Sequence, residues 1–169
     1  MKDYFDLGNY SRAVSENMNS QTWFDRGMVW LFAYNHEEAI SCFEKAIEVD
    51  QKCAFAYWGI AYSVGPNYNK HWEVFTPNEK GPVLEKAHKF IDNGLALPGL
   101  PVLEKKLLNA LRQRYPKNHT VEDFQPYSDA FAGAMRHVYQ EYSGDLDLIC
   151  IFVEALMNRT PWRLWNFWK

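Results

Sequence analysis

What this sequence lacks narrows its class first. The 169 residues contain no apolar run approaching the roughly eighteen needed to cross a bilayer, and Met1-Lys2-Asp3-Tyr4 opens without the apolar stretch of a secretory leader. Both absences point to the cytosol. Positive charge is in short supply: 18 Lys and Arg stand against 21 Asp and Glu, for a net charge of −3. The pair Lys105-Lys106 makes no groove, so a nucleic-acid surface that works by counterion release is not expected. Cysteine is scarce as well. Cys42, Cys53 and Cys150 form no C-x-x-C pair and leave one thiol over under any disulfide scheme, which fits reduced, structural thiols. Asn9, Asn118 and Asn158 each open an N-x-S/T triplet, but without a leader they have no route to glycosylation. The G-x-S-x-G elbow, the Walker loop, G-x-G-x-x-G and H-E-x-x-H are all missing, so no catalytic residue, cofactor or metal site is expected.

What is present is aromatic and helical. Aromatic residues make up 17% of the chain, including seven Trp and ten Tyr, a load that is either packed or presented to something. The length suits one domain. Residues 1–18 hold Gly8 and several Asn and Ser without a sustained period and read as an extended arm. From there the apolar period is that of helices, with no β alternation. Expected helices cover about 21–34, 36–49, 53–64, 83–96, a stretch after Pro101 to Tyr115, 123–142 and 145–157. Gly65-Pro66 must break the third helix, and Pro82 suits the first position of the fourth, so 65–82 is expected to be a long inserted loop.

Helices in consecutive pairs prompt a test for internal repeats. With Ser20 as position one of a 34-residue unit, Trp23 falls at position four, Gly27 at eight, Trp30 at eleven, Ala39 at twenty, Phe43 at twenty-four and Ala46 at twenty-seven. This pattern resembles the tetratricopeptide repeat, in which small residues let two helices approach and large ones fill the gap. A second unit starts at Ala54, with Tyr57 and Ala61 in register, while Ala87, Ile91 and Gly94 arrive about fourteen residues late. Beyond the generic repeat, the runs WFDRGMVWLFAYNHEEAISCFEKAIEVD, CAFAYWGIAYSVGPNYNKHWEVF and VEALMNRTPWRLW resemble a family of microbial and fungal tetratricopeptide-domain proteins of uncertain function. Members of that family continue past the TPW motif, which implies that this chain is a shortened or truncated form.

The resemblance implies an all-α fold of about seven helices, antiparallel hairpins stacked as a short right-handed solenoid. Its divisions are the arm 1–18, one unit at 20–53, a second at 54–99 with the insertion 65–82, further hairpins at 100–158 and an aromatic tail at 159–169 carrying Trp162, Leu164, Trp165, Phe167 and Trp168. It also implies a concave face lined by Phe24, Met28, Leu31, Phe55, Trp58 and Tyr62, which is either a groove for an apolar partner or a core filled by the arm or by helices five to seven folding back. That surface is apolar, unlike carboxylate-clamp repeats, which need Lys, Arg and Asn there. The expected role is a non-catalytic cytoplasmic scaffold that binds a protein partner or its own second copy, with no nucleic acid and no membrane. The alternative is a small-molecule or metal-binding accessory protein whose polar rim gathers Asn35, His36, Asn67, Tyr68, Asn69 and His71, with Glu37 or Glu73 as the carboxylate of a metal site.

Overall fold

The computed structural model describes residues 6–118, 120–163 and 165. His119 and the tail residues Leu164, Phe167 and Trp168 lie outside them. Among the described residues there are seven α-helices and no strand: α1 (Met18–Phe32), α2 (His36–Val49), α3 (Ala54–Ser63), α4 (Pro77–Leu95), α5 (Val102–Arg112), α6 (Gln125–Glu141) and α7 (Leu146–Met157), with one 3-10 turn at Trp72–Val74. Helices pack chiefly on their neighbours in sequence, and α3 also touches α1 and α5. No helix among the described residues is long and apolar enough to cross a membrane.

The all-apolar stretch AFAYWGIAYS makes α3 the centre of the molecule. Every residue from Ala54 to Ser63 is buried, as expected of a helix without a polar face. Two glycines set how closely its neighbours approach. A Cβ on Gly27 of α1 would lie 2.5 Å from the Phe43 ring of α2, and one on Gly59 of α3 would lie 2.6 Å from the same ring. Phe43 is therefore clamped between two helices where only hydrogen fits.

The inserted loop is shorter than the sequence implied. Helix α4 begins at Pro77, not Pro82, and Pro82 lies inside it. The start signal is Thr76-Pro77-Asn78-Glu79: the Glu79 carboxylate accepts from the Thr76 N–H at 2.8 Å and from its hydroxyl at 2.8 Å, while Pro77 takes the first-turn position that needs no N–H. The rest of the loop is pinned. Asn67 Oδ1 accepts from the N–H groups of Asn69 and Lys70, both at 2.9 Å, and the buried Trp72 ring stacks on Phe124 at 4.4 Å.

Candidate functional site

The row expected to line an open groove is core. Phe24, Met28, Leu31, Phe55, Trp58 and Tyr62 are all buried, so the expectation of a free apolar channel is corrected. The chain's own elements cover the row. Arg12 of the arm lies 5.0 Å over the Phe55 ring, Phe131 of α6 packs 6.3 Å from Tyr62, and Tyr62 stacks on Trp58 at 4.7 Å. A repeated apolar face satisfies the same helical period whether a partner or the same chain fills it.

The polar rim divides between two places. Asn35, His36 and Asn67 line one open groove of about 660 Å³ with Tyr34, Ser63 and Lys70. His71 instead borders a water-sized space of about 10 Å³ beside Trp72 and Asn158. Tyr68 packs on Trp162 at 5.2 Å, and Asn69 is exposed. Asn35 also caps α2, accepting from the Glu38 N–H at 3.4 Å. Among the described residues no group of three or more His, Cys, Asp and Glu gathers to hold a metal ion.

Behind the first groove lies a buried polar cluster. The chain leaves α1 through a reversal in which the Asn35 N–H bonds the Trp30 carbonyl at 2.9 Å and the Tyr34 N–H bonds that of Leu31 at 3.0 Å. The turn requires a left-handed residue, normally glycine, yet Tyr34 occupies it with φ of 61°. For a side-chain-bearing residue that conformation costs about 1–2 kcal/mol. The turn sets the Tyr34 ring edge-on to His36, their centroids 5.7 Å apart. From α3, Tyr62 donates its hydroxyl to Glu154 Oε2 of α7 at 2.6 Å. Just past α5, Arg114 lies over the faces of Tyr62 at 4.9 Å and Phe131 at 5.2 Å and donates to the Pro66 carbonyl. Its position is fixed by the next residue, because Tyr115 donates to the Ala61 carbonyl at 2.6 Å and presses against Gly65.

Burial governs the charges here. It lowers the His36 pKa, with Arg114 adding to the fall and Glu154 opposing it, so the imidazole is neutral at physiological pH. Burial and the Glu154 carboxylate push Tyr34 up to about 12, and the same two causes hold Tyr62 well above the ordinary phenol range. Several polar atoms of this region are buried without a hydrogen-bond partner within the chain: both ring nitrogens of His36, Trp58 Nε1, Ser63 Oγ, one Arg114 Nη and Glu154 Oε1. Ser63 is 5% exposed and Arg114 1% exposed.

Ser63, His36 and Glu154 are the residue types of a nucleophile triad. The hydroxyl, both imidazole nitrogens and Glu154 Oε1 are nevertheless unpartnered, so they do not form the linked hydrogen bonds by which a base activates a nucleophile. Burial raises the Cys42 and Cys53 thiols, the second to about 11, which leaves both protonated and unreactive. Another groove, about 870 Å³, lies between α4, α5 and α6. There Arg112 pairs with Asp92 and the His88 ring meets the Pro116 carbonyl at 3.0 Å, leaving less unmet polarity than the cluster has.

Comparison with protein-family models, with curated proteins and with solved structures returned no match to this chain.

Proposed function

We propose that this chain is a non-catalytic binding protein, a cytosolic helical-repeat unit of tetratricopeptide type, whose ligand is a small polar molecule held by Tyr34, His36, Tyr62, Arg114 and Glu154. The observation that carries this reading is the set of buried, unpartnered polar atoms in one region. Each such atom costs about 1–3 kcal/mol, so a region serving stability alone would be apolar or fully paired. The strained Tyr34 adds support, since backbone strain collects where a side chain must be aimed. The repeat assignment rests on Gly27 and Phe43, which occupy the signature positions and meet as that packing requires. Tyr34 and His36 of this set also line the open groove with Asn35 and Asn67, which gives a ligand a way in.

Thermal unfolding of the full chain, with free amino acids, hexoses, nucleosides and dicarboxylic acids as separate probes, tests the reading. A ligand that binds only the folded state adds about 2.7 kcal/mol at a hundredfold excess over Kd. One probe class is expected to raise the Tm of the wild type but not of Glu154→Gln. No shift with any class in the wild type contradicts the reading.

A second reading, a scaffold that joins a protein partner or a second copy through aromatic surface, is favoured by Trp162 and Trp165, which are 65% and 84% exposed. Light scattering on the purified chain discriminates. Self-association that Trp165→Ser abolishes supports the scaffold, whereas a monomer with or without the substitution rules out self-association through that surface.

A further inference from the structure

The arm ahead of α1 is held in a manner that the polar cluster does not use. It runs back along α1 as an extended chain whose main-chain groups are read by side chains. Gln21 Oε1 accepts from the N–H groups of Val14 at 2.9 Å and Ser15 at 3.2 Å, and Gln21 Nε2 donates to the Arg12 carbonyl at 2.7 Å. Asp25 accepts from the Arg12 N–H at 3.0 Å and from Gln21 at 2.7 Å. Bonds of this kind recognise an extended backbone whatever its side chains.

Side-chain selection comes from two residues. The Arg12 guanidinium bonds both oxygens of Asp145, at 2.9 and 2.7 Å, reaches Asp147 at 2.9 Å and lies over the Phe55 ring. Two residues earlier, Tyr10 donates its hydroxyl to Asp147 at 2.8 Å. The Arg12, Asp145 and Asp147 side chains are 17%, 22% and 14% exposed, so this is a built socket and not a surface pair. At the α7 end two carboxylates, Asp145 and Asp147, face the one Arg12 guanidinium, which leaves that end of the socket acidic once the arm is lifted. The arm does not fill its channel: a groove of about 460 Å³ remains between Tyr10 on the arm and Thr22, Asp25, Arg26 and Val29 on α1.

We infer that the α1 face and the start of α7 form a docking channel for an extended segment of a partner protein, one carrying an arginine with a tyrosine two residues before it, and that the arm is the channel's intramolecular occupant. This inference does not rest on the small-ligand reading and survives its failure. The tether gives the arm an effective concentration on the order of millimolar, so an outside segment competes against it. Weakening the arm therefore exposes the channel.

The probe is a fluorescein-labelled synthetic peptide of residues 6–17, followed by anisotropy with the full-length chain. Arg12→Ala in the protein is expected to tighten binding of the wild-type peptide at least about tenfold over the wild-type protein, by removing the tethered competitor. Adding Asp145→Asn to that protein, or replacing the arginine of the peptide by alanine, is expected to abolish the gain. Where Arg12→Ala fails to fold, Ser15→Pro, which deletes the Ser15 N–H to Gln21 and the hydroxyl bonds to Asp50 and Asn17 while leaving the socket intact, takes its place with the same expected gain. Failure of a folded variant to bind the peptide, or binding indifferent to Asp145, overturns the inference. A wild-type dimer that Arg12→Ala dissolves also overturns it, by assigning the channel to the arm of a second copy.

Discussion

Tyr34, His36 and Ser63 show how much chemistry single residues impose on this fold. The His36 pKa is lowered by burial, so between that folded value and the unfolded value of 6.5 the unfolded chain binds the extra proton. Stability contributed by the neutral imidazole is then present above pH 6.5 and lost as pH falls below it. Unfolding free energy measured along a pH series is expected to slope downward through this range in the wild type, and less steeply in His36→Gln. Equal slopes would mean that His36 is not the titrating group. Gly27 and Gly59 make a complementary case. Alanine at either position forces Phe43 aside and is expected to cost about 1–3 kcal/mol, measured by denaturant unfolding.

At the scale of elements, the apolar period together with the Gly and Pro breaks placed the seven helices well. Boundaries were harder. The choice between Pro77 and Pro82 as the start of α4 turned on the Thr76 and Glu79 cap, a signal present in the sequence but overshadowed by the Gly and Pro around it. Caps also carry a direct test: Asn17 accepts from the N–H groups of Asn19 at 3.0 Å and Ser20 at 3.3 Å, and Asn17→Ala is expected to cost about 1 kcal/mol. The link between the arm and α7 is electrostatic. Burial raises the Asp145 pKa, but bonds from Arg12 and from the Leu148 N–H lower it further than burial raises it. Its stabilising contribution is thus present above the unfolded value of 3.8 and lost as pH falls through the lower folded value. The protection of the Val14 and Ser15 amides against hydrogen exchange, taken relative to the intrinsic rate at each pH, is expected to fall in that acid range and also in Asp145→Asn at neutral pH. Unchanged protection in Asp145→Asn would mean that the arm is held by its backbone bonds alone.

For the whole molecule, the distribution of polarity is the main lesson. The apolar periodicity of Phe24, Phe55 and Tyr62 was legible in the sequence, but not what fills the face they make, because a core and a groove demand the same residues. The polar cluster was legible only in part. Asn35 and His36 sit at a turn that the sequence marks, whereas Tyr62 and Glu154 stand 92 residues apart and meet only through the reach of their side chains in the folded chain. Arg114 is similarly remote from Pro66, and neither residue type nor local spacing announces the contact. Arg12 gave no signal at all, since a lone arginine in an irregular arm ordinarily faces water.

The direct measurement is the unfolding free energy of Ser63→Ala against the wild type, without added ligand. If the cluster is kept for a ligand at the expense of stability, removing a buried hydroxyl that has no partner within the chain is expected to stabilise the chain by about 1 kcal/mol. If Ser63→Ala is instead less stable by a similar amount, the hydroxyl is satisfied within the fold and the central claim is contradicted.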